Sequence, residues 1–232
     1  IPQVSIECEN QIPISRGLGS SSAALVGGLY AANVFAGNPL SKFDLLNLAA
    51  QMEGHPDNVA PAFFGGIQIG VYDDQNLITS SVNYPQNISL VLYVPDFNML
   101  TDKSRNILED QVSRKDVIFN LGRFGMLVNS LSNGDLSNLK FATQDLLHQP
   151  QRQQIFFPMK NIIKGALDAG AYGAFLSGAG STIIAITDSR EYTIGYEMAD
   201  AAMKSGIEGN IVVSTIVNQG VHLIDQGENK CQ

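Results

Sequence analysis

The sequence is poor in the residues that build disulfide frameworks, transition-metal sites and polyanion-binding surfaces. Its 232 residues include two cysteines, Cys8 and Cys231, at opposite ends and without a C-x-x-C pair. That excludes a disulfide scaffold and a zinc ribbon, and it suits a reducing compartment. The three histidines, His55, His148 and His222, are scattered, and none has a partner at transition-metal spacing. Lys plus Arg number 14 against 22 Asp plus Glu, a net charge of −8, with no basic run. Nucleic acid and anionic membranes are therefore not expected partners. Residues 17–41 carry no charge, yet they contain five Gly, four Ser, two Asn and a Pro. So small and polar a stretch is not a membrane span. Neither internal repeats nor low-complexity segments interrupt the chain.

What is present is an ordinary globular composition, 44% hydrophobic and 16% charged, with material for one large domain or two small ones. The chain opens at Ile1, inside a segment, Val4 to Glu9, that reads as a strand with nothing before it to pair with. An N-terminal part is therefore expected to be missing. A helix is predicted from about Ser20 to Phe35, with Leu25, Leu29, Ala32 and Ala36 on its inner face, stopped by Gly37-Asn38-Pro39. Ser41-Lys42-Phe43-Asp44 reads as a capping box opening a second helix, with Leu45, Leu48, Ala49 and Met52 inward and Gly54 and Pro56 at its end. A short third helix starts near Asp57, a credible N-cap, and Gly65-Gly66 closes it before a strand from Ile67 to Val71. Polar residues from Asp73 to Gln86 suggest a hairpin or a domain link. The second half reads as a strand (Ile88 to Val94), helices near 102–109, 115–131, 136–148 and 158–169, strands at 172–176 and 182–187, a helix at 190–205, and strands at 211–217 and 221–224. Without its extra helices that is β-α-β-β-α-β, the ferredoxin-like order.

Five stretches carry chemistry. In Gly17-Leu18-Gly19-Ser20-Ser21-Ser22 the glycines allow a tight turn and the serines stand at a helix start, where N–H groups and the dipole favour a triphosphate. Neither the Walker loop nor the dinucleotide fingerprint fits, for no Lys follows and Ser22 stands where a third Gly belongs. A capped helix packed through small residues would read the same. In Glu53-Gly54-His55-Pro56-Asp57-Asn58, Glu53 falls in the last turn of its helix, where the dipole disfavours a carboxylate by about 0.3–1 kcal/mol unless a cation lies nearby. Mg²⁺ bridging phosphates takes about one or two protein carboxylates, so the cluster is a candidate metal site. Ser177-Gly178-Ala179-Gly180-Ser181 reads equally as a hairpin turn. Thr101 and Arg105 share a helix face, and Arg152 follows the His148-Gln149-Pro150 turn. Each arginine is either a solvated charge or one half of a bidentate grip on a carboxylate.

Taken together, these stretches resemble the GHMP kinases, and within them the homoserine kinase family. Pro13-Ile14-Ser15-Arg16-Gly17-Leu18-Gly19-Ser20-Ser21-Ser22-Ala23-Ala24 is similar to that superfamily's phosphate loop, P-x-x-x-G-L-G-S-S-A-A, with a third serine at the first alanine. His55-Pro56-Asp57-Asn58-Val59-Ala60-Pro61 after Glu53 resembles H-x-D-N-x-x-P. Pro95-Asp96-Phe97 with Thr101 and Arg105 resembles P-x-F-x-x-x-T-x-x-x-R. His148-Gln149-Pro150-Gln151-Arg152 resembles the E-P-x-R segment, and Ser177 to Gly180 the C-terminal glycine motif. The likeness extends from residue 1 to about 224.

The resemblance implies an α+β fold of two domains. These are an incomplete N-terminal ribosomal-protein-S5-like domain over 1–86 and a ferredoxin-like C-terminal domain with extra helices over 87–232. It implies ATP-dependent phosphorylation of L-homoserine to O-phospho-L-homoserine, a step toward threonine. ATP would lie on Pro13, Arg16, Gly17, Leu18, Gly19, Ser20, Ser21 and Ser22, with Mg²⁺ on Ser21 and Glu53. The substrate would meet His55, Asp57, Thr101, Arg105, Arg152 and Gly178, the arginines on its carboxylate. Asp57, Asn58 and Arg105 would be catalytic, with Asn58 toward the adenine–phosphate side or the reacting hydroxyl. A cytoplasmic protein follows, or a plastid one if a transit peptide precedes Ile1, and a homodimer is compatible with all of it. Other kinases of the superfamily, of mevalonate type, and a non-catalytic nucleotide-binding homologue are the rival readings. Two departures stand out. Ser181 replaces the usual proline after the glycine turn, and the family's N-terminal motif, with an Asn and an Asp for the substrate pocket, has no counterpart here.

Overall fold

The computed structural model describes residues 3–74, 76–97, 104 and 106–224. Three helices come first: α1 (Ser20–Phe35), α2 (Lys42–Glu53) and α3 (Val59–Phe64). A hairpin follows, β1 (Ile67–Asp73) and β2 (Asn76–Val82), paired antiparallel with Asp73 opposite Asn76 at its tip. Next come β3 (Ser89–Pro95) and α4 (Arg114–Asn133), then a 3₁₀ turn (Leu136–Asn138) and two short helices, α5 (Leu139–Ala142) and α6 (Gln149–Gln153). The chain continues through α7 (Met159–Asp168), β4 (Gly173–Leu176), β5 (Ile183–Thr187), α8 (Glu191–Lys204) and β6 (Gly209–Thr215).

The second sheet has the order β4-β5-β3-β6, every pair antiparallel. With β-α-β-β-α-β connectivity this is the ferredoxin-like arrangement expected from the element order. Alternation along β3 covers both faces. Val91 and Tyr93 pack with Ile162, Ile194 and Met198 of α7 and α8, whereas Ile88 and Leu90 join Leu131, Leu139 and Val82 on the other side. Each fully buried Leu, Ile or Met of this kind contributes about 1.5–3 kcal/mol of transfer free energy.

Several local expectations are corrected. Val4 to Glu9 is exposed and makes no ladder, since an extended segment becomes a strand only against a partner edge. On α1 Leu25 and Leu29 pack against the core as expected, beside the buried Ser22, Val26 and Asn33, whereas Ala32 and Ala36 face outward. The helix is apolar on nearly every side, so periodicity could not choose, and Asn33 is drawn in because its amide exchanges two hydrogen bonds with the backbone of Leu40. On α2 the capping box forms as expected. However, the buried face is Leu45, Leu46, Ala49 and Ala50, while Leu48 is 38% and Met52 61% exposed. Asn58, not Asp57, occupies the cap position of α3.

The helix predicted over 136–148 stops at Ala142. The Asp145 carboxylate there accepts the backbone N–H groups of Leu147, His148 and Gln149, a local alternative to helical bonding. Residues 221–224 are not a strand. The Val221 N–H bonds the Ala62 carbonyl at the end of α3 instead, returning the tail to the first helices. Of the helix expected near 102–109, residues 102, 103 and 105 lie outside the described residues, as does Cys231; Ser104 and Asn106 are helical, and 107–109 are turn, bend and irregular backbone.

Candidate active site

The glycine-serine loop enters α1 through Gly19 in the left-handed region (φ 73°) with no side-chain cap, and the first intrahelical bond runs from the Ala23 N–H to the Gly19 carbonyl. By contrast, Ser41 and Ser113 cap α2 and α4. The start of α1 therefore presents the amides of Ser20, Ser21 and Ser22 with no intrahelical acceptor, the geometry that suits an anion.

Glu53 sits at the C-terminal end of α2, where no basic side chain offsets the dipole. Its carboxylate turns instead to the start of α1. Ser21 Oγ donates to its two oxygens at 3.1 and 3.2 Å, and Ser22 Oγ donates at 3.0 Å. The positive end of α1 thus compensates the unfavourable end of α2. Two hydroxyls and a carboxylate make an all-oxygen set of the kind a hard divalent cation accepts, so Mg²⁺ fits the residues present. Gly17 and Gly19 both take positive φ, 74° and 73°, which lets the loop turn tightly where a side chain would be strained.

The loop is fastened from the other side. A Cβ on Gly17 would lie 2.1 Å from the Ser177 carbonyl oxygen. Ser177 Oγ donates to the Gly17 carbonyl at 2.7 Å, and the Thr182 N–H donates to the Arg16 carbonyl at 3.1 Å. The Arg16 guanidinium donates through Nε to the Pro95 carbonyl at 2.7 Å and through Nη2 to that of Asp96 at 3.1 Å, while Nη1 lies 3.4 Å from the Ile14 and Ser15 carbonyls at the start of the loop. Pro13 lies earlier on the approach to the loop and is partly buried.

His55 Nδ1 hydrogen-bonds Asp57 Oδ1, and the Asp57 side chain is largely exposed. The Asn58 side chain lies against Gly19, within 3.3 Å of where a Cβ would stand. The Glu53-to-Asn58 segment thus adjoins the serine loop as one cluster. Arg152 is only 8% exposed, which removes the reading of a solvated charge. Its Nη1 donates to the Gly178 carbonyl at 3.1 Å, bringing the arginine segment and the glycine turn together. Thr101 and Arg105 lie outside the described residues. Ser181 is buried, and its Oγ donates to the Phe97 carbonyl at 2.7 Å, a bond that proline could not make.

Sequence reasoning did not single out Ser104, Asp145 or the hydroxyl of Ser177. The one available signal was Asp145, which precedes His148-Gln149-Pro150 at the spacing of a local side-chain cap. Burial alone would raise the Asp145 carboxyl. Hydrogen bonds from His148, Asn120 and the backbone of Gln149 and Leu147 outweigh it and hold the group far below its ordinary value.

An uncapped serine-lined helix start facing a carboxylate is a site suited to a polyphosphate and its cation, and the family comparisons agree with that class. The GHMP kinases N-terminal domain matches residues 2–66, and the GHMP kinases C-terminal family matches 127–201. A homoserine kinase from Desulfitobacterium hafniense is 42% identical over 225 residues, covering 97% of this chain and 76% of that protein. Another from Microchaete diplosiphon is 39% identical over 227 residues, covering 97% and 74%. The crystal structure of homoserine kinase from Cytophaga hutchinsonii superposes with a TM-score of 0.83 at 33% identity, covering 91% of this chain and 69% of that one. The chain belongs to the homoserine kinase family. It spans about three quarters of the length of the two sequence relatives.

Proposed function

We propose that the protein transfers the γ-phosphoryl group of ATP to the side-chain hydroxyl of L-homoserine, giving ADP and O-phospho-L-homoserine on the route to threonine. The observation that carries this reading is the convergence of the Ser21 and Ser22 hydroxyls on Glu53 at the uncapped start of α1. Backbone amides from Gly17 to Ser22 hold the phosphates, and Ser21 and Glu53 hold Mg²⁺. When bound, the cation neutralises charge on the phosphate oxygens. Pro13 and Leu18 shape the loop, and Arg16 fixes it through its bonds to Pro95 and Asp96.

The acceptor lies between the His55–Asp57 pair and Arg152, with Gly178 lining the pocket from the later glycine turn. Arg152 takes the substrate carboxylate together with Arg105, and Thr101 assists. The roles of Thr101 and Arg105 rest on the motif they share with the family. The substrate oxygen bonds to the γ-phosphorus as the bridging P–O bond breaks, and the hydroxyl proton is released. Because the transition state is loose, the work of these residues is positioning and charge stabilisation. The contact of Asp57 with His55 favours orientation of the hydroxyl over abstraction of its proton, and Asn58 orients from the nucleotide side. The chain divides near residue 86 into the lobe carrying the loop, 1–86, and the lobe carrying the arginine segment, 87–232.

A coupled ADP-release assay over L-homoserine, other hydroxy-amino acids and mevalonate tests the substrate. Turnover with homoserine at the highest kcat/KM is expected, and a preference for an acid without an amino group would overturn it. Asp57→Asn is expected to raise the homoserine KM more than it lowers kcat. A kcat loss of about 10⁴-fold at unchanged KM would make Asp57 a base.

A further inference from the structure

Ser104 is wholly buried, yet an alanine would fill almost the same space; what distinguishes the residue is its hydroxyl. Ser104 Oγ donates to the Ala179 carbonyl at 2.6 Å and accepts from Arg152 Nε at 3.0 Å. The direction of both bonds is fixed. A guanidinium has only donors and a carbonyl only acceptors, so the single serine proton must point to Ala179. The Ser104 carbonyl also faces Arg152 Nε, at 3.4 Å. Meanwhile Arg152 Nη1 reaches the Gly178 carbonyl at 3.1 Å. Two nitrogens of a planar guanidinium are thereby held, and holding two sets the plane in which its remaining N–H groups point.

We infer that Ser104 is a positioning residue that orients Arg152 for the acceptor carboxylate, tying the arginine to the glycine turn that also touches the phosphate loop. This rests on the proposed role of Arg152 in gripping that carboxylate. The turn is shared in a literal sense. Gly178 and Ala179 receive Arg152 and Ser104, while Ser177 of the same turn donates to the Gly17 carbonyl. Without the Ser104 hydroxyl, the Nε of a buried arginine loses its short-range acceptor and the Ala179 carbonyl loses its donor. The guanidinium then keeps its Gly178 contact but loses the short bond that fixes its Nε edge. A carboxylate bound by a fork of parallel N–H groups is sensitive to a shift of that edge, whereas the phosphate loop meets the turn through Ser177 and not through Ser104 or Arg152.

A double-mutant cycle on the full chain reads this out, with Ser104→Ala, Arg152→Ala and the pair compared for homoserine KM, ATP KM, kcat and thermal melting. Ser104→Ala is expected to raise the homoserine KM about tenfold, with ATP KM and kcat moving far less. Arg152→Ala is expected to raise it by at least about thirtyfold, and adding Ser104→Ala to Arg152→Ala should then have no further effect on it. An unchanged homoserine KM in Ser104→Ala, while Arg152→Ala raises it, overturns the positioning role alone. So does an equal rise from Ser104→Ala with and without Arg152. An unchanged homoserine KM in Arg152→Ala overturns the carboxylate reading itself. If Ser104→Ala does not accumulate as folded protein, Ser104→Cys retains the volume with a much weaker hydrogen-bonding group and is read in the same assay. It must then show the homoserine KM rise for the role to stand.

Discussion

The helical region around the serine loop and the region built on the four-stranded sheet are held together in different ways. The sheet region buries side chains on both faces, with Val91, Tyr93, Ile183 and Ile194 on one side and Ile88, Leu131 and Leu139 on the other. The helical region has a smaller core around Leu46, Ala49, Val59 and Phe63. Yet the smaller core carries Glu53 and the loop, and the larger one supplies the bonds that fix the loop through Ser177, Thr182, Pro95 and Asp96. Chemistry and rigidity are thus divided between the two regions, and they meet at Gly17.

Three substitutions can break that division, beginning with the largest expected effect. Glu53→Gln removes the carboxylate that faces the loop and is expected to lower kcat by about 10²–10³-fold. It should also raise the Mg²⁺ concentration needed for half-maximal turnover. Because the carboxylate ends α2 at an unfavourable dipole, stability should change by less than about 1 kcal/mol in a thermal melt. A large loss of stability instead would show that Glu53 belongs to the scaffold.

Gly17→Ala strikes the seam. A Cβ 2.1 Å from the Ser177 carbonyl, on a residue at φ 74°, forces the loop and the glycine turn apart. The expected cost is about 1–3 kcal/mol in thermal unfolding, accompanied by weaker ATP binding in calorimetry. Loss of one without the other would separate the two regions more cleanly than the contacts suggest.

Asp145→Asn acts on the sheet region only. The native carboxyl lies below its ordinary value of 3.8. Its contribution is therefore present above the unfolded value and lost as pH falls through the lower folded one. At pH 7 the substitution should cost about 2 kcal/mol, and the gap to the unsubstituted protein should close as pH drops below about 4. Denaturant titrations at several pH values check this. A gap independent of pH would assign the loss to packing and not to charge.

The comparison also shows which parts of the molecule were legible early. The capping box at Ser41 and Asp44 and the ferredoxin-like element order followed from local signals, and the pairing of Glu53 with the serine turn followed from the resemblance to the family. The inner faces of α1 and α2 followed only in part, through Leu25 and Leu29 and through Leu45 and Ala49. Both helices are apolar on more than one side, so the choice of Leu46 and Ala50 over Leu48 and Met52 depended on what lay opposite. Nor could the break at Ala142 be read from periodicity, because it is made by Asp145 taking three backbone N–H groups that a helix would otherwise use.

The sequence by itself determined the family and its class of chemistry, through the order and spacing of several motifs. No single stretch sufficed, since the glycine and serine run at a helix start reads equally as a packed, capped helix. Only the tertiary structure decided how the loop is fixed and how Arg152 is buried. Those bonds join residues such as Gly17 and Ser177, or Ser104 and Ala179, that lie far apart along the chain. A hydroxyl meeting a carbonyl across such distances leaves no period or spacing to read, since folding alone brings the two together.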